Sequence, residues 1–288
     1  MSDLASPVRS PALVPLALAA NLLVFSAAFV LIGLLTTPGA SAEVSGLAQA
    51  VEWLCSIGLL IGFVLALSCM LSDRHGVPRR PWATVLAALV LIFGLGVGWA
   101  MLQGQVLNAV RSRYSVQQLL AWTAAIAALK VVAINLIALP IAWRLGGRGT
   151  TPVPWRGWHR RVIGALVGGF LCAGAALLLQ NVAAAYTSLG HGEQRVGMSV
   201  VALAVGLIQG LMILALPVRH GSGAVPALLC ALLTPLLIVA ASLALLAVNS
   251  NSWGMPSLIA VVLLILLLAP ILSWLLLRWL HGRRYRAD

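Results

Sequence analysis

The feature that most constrains this chain is the alternation of long apolar runs with short connections that carry its arginines. In a helix that rises 1.5 Å per residue, about 20 apolar residues cross the ~30 Å hydrocarbon core of a bilayer. Of the 288 residues, 61% are hydrophobic and 8% are charged, whereas a soluble domain has about a quarter charged residues. Because so few charges cannot cover a water-facing surface, the sequence predicts an all-α integral membrane protein.

Eight apolar runs are long enough to cross a bilayer as helices. Hydrocarbon offers no partner to a backbone N–H or C=O group, so each run should satisfy its own hydrogen bonds as an α-helix. We therefore expect a single polytopic membrane domain over 1–288. The predicted transmembrane helices are residues 12–36, 47–72, 82–103, 118–143, 162–187, 197–218, 225–248 and 256–279.

The arginines predict the orientation of these spans, because Lys and Arg accumulate in cytoplasmic loops. One set of connections and termini carries fourteen arginines: Arg9, Arg74, Arg79, Arg80, Arg144, Arg148, Arg156, Arg160, Arg161, Arg219, Arg278, Arg283, Arg284 and Arg286. The opposite set carries three: Arg111, Arg113 and Arg195. Both termini are therefore expected in the cytoplasm, and the protein in the inner (plasma) membrane of a bacterium. The basic loops should attract anionic lipid headgroups, at about 1 kcal/mol per charge.

Tryptophan side chains prefer the headgroup level of a bilayer, and all ten tryptophans are expected near span ends. Those near the predicted outer ends are Trp53, Trp99, Trp122 and Trp253. Those near the predicted inner ends are Trp82, Trp143, Trp155, Trp158, Trp274 and Trp279. The pattern predicts an aromatic belt at each interface.

The first span has an alternative interpretation, because Ala40-Ser41-Ala42 follows it and resembles a signal-peptidase site. The apolar region of a signal peptide is about 7–15 residues long. Residues 12–36 form a run that is long enough to span the bilayer, which favours retention. Cleavage would leave seven spans and an N-terminus outside.

Two connections are longer than turns. Residues 104–117 mix apolar and polar side chains, which predicts a short helix lying in the outer interface. Residues 144–161 hold five arginines and are expected to form a basic interfacial linker. This linker separates a first half, residues 11–143, from a second half, residues 162–280, and a basic tail, residues 281–288, follows.

The two halves carry similar motifs at corresponding places. The second span contains Gly58-Leu-Leu-Ile-Gly62 and the sixth contains Gly206-Leu-Ile-Gln-Gly210, and Arg-His-Gly follows each span. A Pro-Ile pair begins at Pro140 near the end of the fourth span and at Pro270 near the end of the eighth. These matches predict two parallel four-helix repeats, since halves with an even number of spans share one orientation. Chance similarity among helices rich in Leu, Ala and Gly is the alternative.

Two charged residues lie within the predicted spans. Lys130, the only lysine, lies twelve residues into the fourth span, hence ~18 Å deep. An ionised amine at that depth costs a few kcal/mol, so Lys130 should face the bundle interior. Glu52 is the only acid in a predicted span and lies near the outer end of the second. One hypothesis is an ion pair or proton-linked couple on a solute path. The other is a lysine that carbonyls satisfy and a glutamate exposed to headgroups.

Three uncharged polar side chains are also expected near mid-membrane, namely Asn21, Asn135 and Gln209. They are further candidates for a solute path, although hydrogen bonding between helices is the plainer interpretation. Kinks are predicted at Pro140, Pro235 and Pro270, because proline removes a backbone hydrogen bond.

Glycines four residues apart share a helix face and let two helices approach closely. Such pairs occur at Gly58/Gly62, Gly94/Gly98, Gly164/Gly168 and Gly206/Gly210. They predict a closely packed bundle and faces through which the protein contacts a membrane-protein partner or a second copy of itself.

Several classes of function are disfavoured. A net charge of +12 would indicate nucleic-acid binding in a soluble protein, but here the arginines flank spans, so no nucleic acid is expected. The four cysteines lie inside apolar runs without a C-x-x-C pair, which argues against a disulfide or zinc site. All five histidines lie outside the spans, where they cannot ligate a transmembrane haem. No P-loop, Gly-x-Ser-x-Gly or His-Glu-x-x-His motif is present. No cofactor, metal site or catalytic residue is therefore predicted.

The leading hypothesis is a permease-like transporter or translocation subunit for a small or amphiphilic molecule. The repeat, the buried lysine, the polar mid-membrane residues and the prolines favour it. The alternative is a non-catalytic anchor or regulatory subunit of a larger membrane complex, which the linker, the basic tail and the glycine faces suit equally. An intramembrane lipid-modifying enzyme is least favoured, because no catalytic constellation appears.

Overall fold

Helices make up nearly all of the structure, a computed structural model. It describes residues 10–36, 46–110, 115–147, 155, 157–186, 193–215, 223–248, 264–265, 268–276 and 278–279. The helices are α1 (Leu13–Thr36), α2 (Gly46–His75), α3 (Pro81–Val110), α4 (Val116–Leu145), α5 (Gly157–Tyr186), α6 (Glu193–Leu214) and α7 (Ala224–Val248). Helical residues at 264–265, 268–276 and 278–279 lie within the eighth predicted span and are called α8 below. The described part of the chain contains no strand.

Within the described residues, five helical stretches are long and apolar enough to cross a membrane: Leu13–Ile32, Ala50–His75, Pro81–Ala109, Trp122–Leu145 and Gly157–Leu179. They coincide with the first five predicted spans. α6 and α7 contribute shorter apolar stretches, Ser199–Leu214 and Ala224–Ile238. The expectation of an all-α membrane protein is confirmed at this level.

The expected interfacial helix over residues 104–117 is wrong. α3 continues without interruption to Val110, and α4 begins at Val116. A helix tolerates an isolated glycine such as Gly104 at a cost of about 1 kcal/mol, so nothing ends α3 there. α4 begins after a capping box, in which Ser115 Oγ accepts from the backbone N–H of Gln118 at 3.3 Å and the Gln118 side chain accepts from the N–H of Ser115 at 3.1 Å.

The helices are arranged around α2 and α5. α2 contacts α1, α4, α5, α6 and α7, whereas α5 contacts α2, α4, α6 and α7. α1, α2, α4 and α3 form a ring in that order, in which each helix contacts its two neighbours. Within the described residues, no contact crosses this ring between α1 and α4 or between α2 and α3.

Glycines let α5 pack closely against helices on two sides. A Cβ atom added to Gly58 of α2 would lie 2.6 Å from the carbonyl oxygen of Phe170. One added to Gly206 of α6 would lie 2.6 Å from the Cβ of Ala173. Only glycine fits at these contacts, which explains why Gly-x-x-x-Gly pairs occur on the helices that sandwich α5.

The remaining glycine pairs differ in their surroundings. Gly164 and Gly168 of α5 lie against Ile213 of α6. A Cβ atom at Gly94 or Gly98 of α3 would meet nothing within 4 Å. Three of the four pairs are therefore occupied by contacts within the chain, and the pair on α3 faces outwards.

The arginine-bearing helix ends, where α1, α3 and α5 begin and α2 and α4 end, are called the basic end below. The indole of Trp143 donates to the carbonyl of Gly76 at 3.3 Å, and the indole of Trp155 donates to the Asp73 carboxylate. Both indoles are buried, with 5% and 6% exposed. Their expected place in an aromatic belt is wrong, because they pack inside the bundle and tie α4 and the start of α5 to α2.

α1 packs in the bundle against α2 and α3. Near its start, the Ser72 hydroxyl donates to the carbonyl of Pro11 at 3.4 Å. The Ala40-Ser41-Ala42 motif lies outside the described residues, as do residues 148–154 of the linker and the tail.

Candidate functional site

The buried side chains of α1, α3 and α4 lie towards the basic end, and the opposite end of these helices is called the far end below. The last buried side chain is Leu22 in α1 and Ile92 in α3, and the first in α4 is Ile134. Beyond these levels no described side chain of α1, α3 or α4 is buried. At 1.5 Å per residue, tight packing extends ~14–17 Å from the basic end, about half of the hydrocarbon core. The term far-end opening is used below for the region between the far halves of α1–α4, in which no described side chain of α1, α3 or α4 is buried.

Two contacts hold α1 to its neighbours near the base of this opening. The indole N–H of Trp53 on α2 donates to the hydroxyl of Ser26 at 2.7 Å. The rings of Phe25 and Phe93, on α1 and α3, meet edge to face with centroids 5.7 Å apart. Neither contact involves α4.

Lys130 lies at the base of the far-end opening. It is half-buried and stands one turn from Ile134, the first buried side chain of α4. Residues four apart share a helix face, so Lys130 continues the inward face of Ile134. Lys130 lies fifteen residues from Leu145, hence ~22 Å from the basic end and about midway along α4.

Glu52 lies elsewhere. It is exposed near the start of α2. Glu52 is twenty-three residues from His75, hence ~35 Å from the basic end, and ~12 Å farther along the bundle than Lys130. That separation is too long for an ion pair, which needs about 4 Å between nitrogen and oxygen. The structure does not bring the two charged candidates together.

Asn135 lies in the packed layer below Lys130. It is 0% exposed, and its amide nitrogen donates to the carbonyl of Val131 in its own helix at 2.7 Å. Its amide oxygen has no hydrogen-bond partner among the described residues. An unmet buried polar group costs about 1–3 kcal/mol, so this oxygen is an acceptor that packing alone does not explain.

Trp99 contributes a second unmet group on a helix that borders the opening. It packs against the core from the far half of α3. Its indole N–H is enclosed without a partner among the described residues. Trp99 was expected in the aromatic belt at the headgroup level, and that expectation did not include an enclosed indole N–H.

A polar cluster, here called the Gln209 cluster, joins α6, α7 and α8. Its members are Gln209, Thr234 and Ser273, each 0% exposed. The Thr234 hydroxyl lies 2.7 Å from the amide oxygen of Gln209 and 2.9 Å from the Ser273 hydroxyl. The Ser273 hydroxyl lies 3.3 Å from the same amide oxygen. Three helices of the second half therefore meet through side-chain hydrogen bonds.

The amide nitrogen of Gln209 has no partner among the described residues, although it is buried. The two hydroxyls do not depend on Gln209, because Thr234 also reaches the carbonyl of Cys230 at 2.9 Å and Ser273 that of Pro270 at 2.8 Å. Cys172 of α5 adjoins Cys230 and Thr234 on the other side. Gln209 thus offers two N–H donors to a partner that the described residues do not supply.

Asn21 is half-buried, and its amide nitrogen donates to the carbonyl of Ala17 at 2.8 Å. This bond lies within α1 and joins no second helix. Asn21 therefore belongs neither to the Gln209 cluster nor to the buried layer that holds Asn135.

The chemistry that these positions offer is hydrogen bonding and a single amine at mid-membrane depth. Among the described residues, no three His, Cys, Asp or Glu side chains gather closely enough to hold a metal ion. Unmet donors and acceptors next to an opening are suited to recognising a polar group of a solute.

Sequence reasoning identified Gln209 but missed its partners. These partners are Thr234, which precedes Pro235, and Ser273, which follows Pro270 by three residues. A hydroxyl within one turn of a proline in an apolar helix is a signal that could have found both, since such hydroxyls compensate for disturbed backbone bonding.

No protein-family model, curated protein or solved structure matches this chain. Its function is therefore argued from its own residues.

Proposed function

We propose that this protein is a permease-like transporter, or a translocation subunit, that moves a small or amphiphilic molecule through the far-end opening. Lys130 and Asn135 contact the solute at the base of the opening. The Gln209 cluster supplies a second polar position, between α6, α7 and α8. The proposal builds on the apolar helices, which indicate a membrane protein.

One observation carries the proposal: beyond mid-depth no described side chain of α1, α3 or α4 is buried, and the only lysine of the chain lies at this level. Lipid packing alone does not require a bundle to open on its inner faces. A mid-membrane amine is costly against lipid but is stabilised where water or a solute anion reaches it. An opening that ends at such an amine favours a solute with an anionic group.

The contacts between helices support two four-helix repeats. α1 contacts α2 and α3, and α5 contacts the corresponding α6 and α7. α4 contacts α2 and α3, and α8 meets α6 and α7 through Ser273, which bonds Gln209 and Thr234. Transporters often place solute sites where such repeats meet. One departure is that α6 touches α7, whereas α2 and α3 do not touch in the described residues.

The proposal includes eight spans with both termini in the cytoplasm of a bacterium. The basic end then faces the cytoplasm, because Arg74, Arg79, Arg80, Arg144 and Arg161 lie there exposed. The far-end opening then faces outside, the side from which solute would enter.

Cysteine labelling tests whether water enters the opening. In cells that carry the Lys130→Cys variant, a water-soluble, impermeant methanethiosulfonate should label the new thiol from outside. Leu129→Cys is the matched control, because Leu129 is the adjacent residue, 57% exposed, and faces lipid, which excludes the reagent. Equal protection of both thiols would show that no aqueous path reaches Lys130 and would overturn the proposal.

Flux measurements test the chemistry of Lys130. Purified protein in liposomes is offered a panel of small organic carboxylates, and uptake is recorded for any that bind. Lys130→Met should lower the flux at least tenfold, because ~1.4 kcal/mol of lost interaction is a factor of ten, whereas Lys130→Arg should retain most of it. Thermal stability of both variants should match the wild type. Unchanged flux in Lys130→Met would refute the assigned role.

A second candidate, the non-catalytic anchor or regulatory subunit, is favoured by one observation. A Cβ atom added to Gly94 or Gly98 would have no described atom within 4 Å, so these glycines form an uncovered surface. A partner helix could pack there. Purification in mild detergent separates the two functions, since a partner recovered at fixed stoichiometry favours the subunit, and flux by the protein alone favours the transporter.

A further inference from the structure

An apolar groove runs along α5 between α2 and α6, away from both polar positions described above. Its volume is about 350 Å³. It extends on α5 from Val162 to Ala173, eleven residues, hence ~16 Å in length. This length is about half of the ~30 Å hydrocarbon core, which is the depth of one leaflet.

The floor of the groove consists of small residues, and its walls consist of large apolar ones. Gly169 and Gly206 form part of the floor, where α5 and α6 pack so closely that a Cβ on Gly169 would lie 3.2 Å from the carbonyl oxygen of Gly206. Phe170 lines the α2 side, while Leu207 and Leu211 rise from α6 with 60% and 63% of their surface exposed. The result is a narrow slot that opens towards lipid.

A cationic and aromatic pair lies at the basic end of the same helix face. Arg161 precedes Ala165 by one turn, and Trp158 precedes Val162 by one turn. Residues four apart share a face, so both stand in line with the groove. Arg161 is exposed, and Trp158 is 61% exposed with its ring stacked 4.0 Å from that of His159.

We infer that this groove binds an anionic phospholipid of the leaflet at the basic end. One acyl chain lies in the slot between α2 and α6. The phosphate lies against Arg161, at the headgroup level that Trp158 marks. The length of the groove matches one leaflet and its walls are all apolar, which suits an acyl chain. The positive charge at one end favours an anionic lipid over a neutral one. The inference does not depend on the proposed transport.

Native mass spectrometry of the purified full chain tests the headgroup contact, with dioleoylphosphatidylglycerol and dioleoylphosphatidylcholine as probes. The wild type should bind the first phosphatidylglycerol more tightly. Arg161→Glu should weaken that step at least fivefold, since one charge near the headgroups is worth about 1 kcal/mol, and Arg161→Lys should retain it. Arg144→Glu is the matched control, because Arg144 is exposed at the same end but lies on α4. Equal effects of the two glutamate variants would overturn the headgroup assignment.

Filling the slot tests the acyl-chain contact. Ala165→Phe should lower binding of both lipids, because Ala165 lines the groove. A photoreactive benzoylphenylalanine at Leu207, which is exposed and so tolerates replacement, should give lipid adducts in whole cells. A discrete protein adduct at Leu207 would show that a partner helix occupies the groove and would overturn the inference. Unchanged lipid binding in Ala165→Phe would overturn it as well.

Discussion

At the scale of single residues, the most informative feature is the set of polar atoms that are buried without a partner. Gln209, Asn135 and Trp99 each have one such atom within the described part of the chain. Native proteins satisfy nearly all buried polar groups, so exceptions call for an explanation. Three exceptions near the opening or in the Gln209 cluster are consistent with positions that a solute completes.

Replacing Gln209 with leucine separates a structural role from a functional one. The substitution removes an amide whose nitrogen is unmet, while Thr234 and Ser273 keep their backbone acceptors. Relief of an unmet donor is worth about 1–3 kcal/mol, so Gln209→Leu should leave the thermal unfolding temperature in detergent unchanged or higher. Solute flux should fall. A clear drop in unfolding temperature would instead assign Gln209 to structural support of α6, α7 and α8.

The sequence predicts a depth for each of these residues, but it does not show their surroundings. Counting along the spans placed Lys130, Asn135 and Gln209 near mid-membrane, because helical rise converts position into depth. In a helix that is apolar all round, periodicity does not show which side faces protein, so the buried side of Asn135 and the half-buried state of Lys130 needed the packed bundle. Trp143 and Trp155 were misplaced for the same reason, since tryptophan near a span end fits an interface or a core equally well.

At the scale of helices, the positions of the glycines show through which faces the helices pack against one another. Gly206→Ala should destabilise the protein by about 1–3 kcal/mol, the typical cost of overpacking, because the added Cβ would lie 2.6 Å from the Cβ of Ala173 and 2.7 Å from the Gly169 carbonyl oxygen. Gly94→Ala is the matched substitution in open space, where alanine favours a helix by about 1 kcal/mol. Its unfolding temperature in detergent should equal or exceed the wild-type value.

The outcome for Gly94→Ala also bears on assembly. If the variant lowered stability or shifted the size-exclusion profile, the glycine face of α3 would be a contact with another helix rather than with lipid.

The extent of α3 shows which property of a helix its sequence does not predict. The apolar run predicts where α3 crosses hydrocarbon. The helix continues beyond that run from Gly104 to Val110, because polar residues end an apolar run without ending a helix.

At the scale of the whole molecule, length and hydropathy predicted eight spans, and the described residues contain five helices long and apolar enough to cross a membrane at the first five of them. The order of contacts around α2 and α5 was not predictable. The central place of α5 depends on small residues that meet Gly58 on one side and Gly206 on the other. A pair of glycines in a sequence indicates a close contact but does not say with which helix.

The orientation of the bundle is the remaining global prediction, and α3 allows it to be tested within one helix. Arg79 lies exposed just before α3, and Asn108 lies exposed near its other end. Asn108 is twenty-seven residues from Pro81, hence ~40 Å away, more than the thickness of the hydrocarbon core. The four native cysteines are 0% exposed, so they add little background to thiol labelling. In intact spheroplasts, an impermeant maleimide should label Asn108→Cys at once and Arg79→Cys only after permeabilisation, because the basic end is expected inside. The reverse pattern would invert the topology and turn the far-end opening towards the cytoplasm, and labelling of both from one side would show that α3 does not cross the membrane.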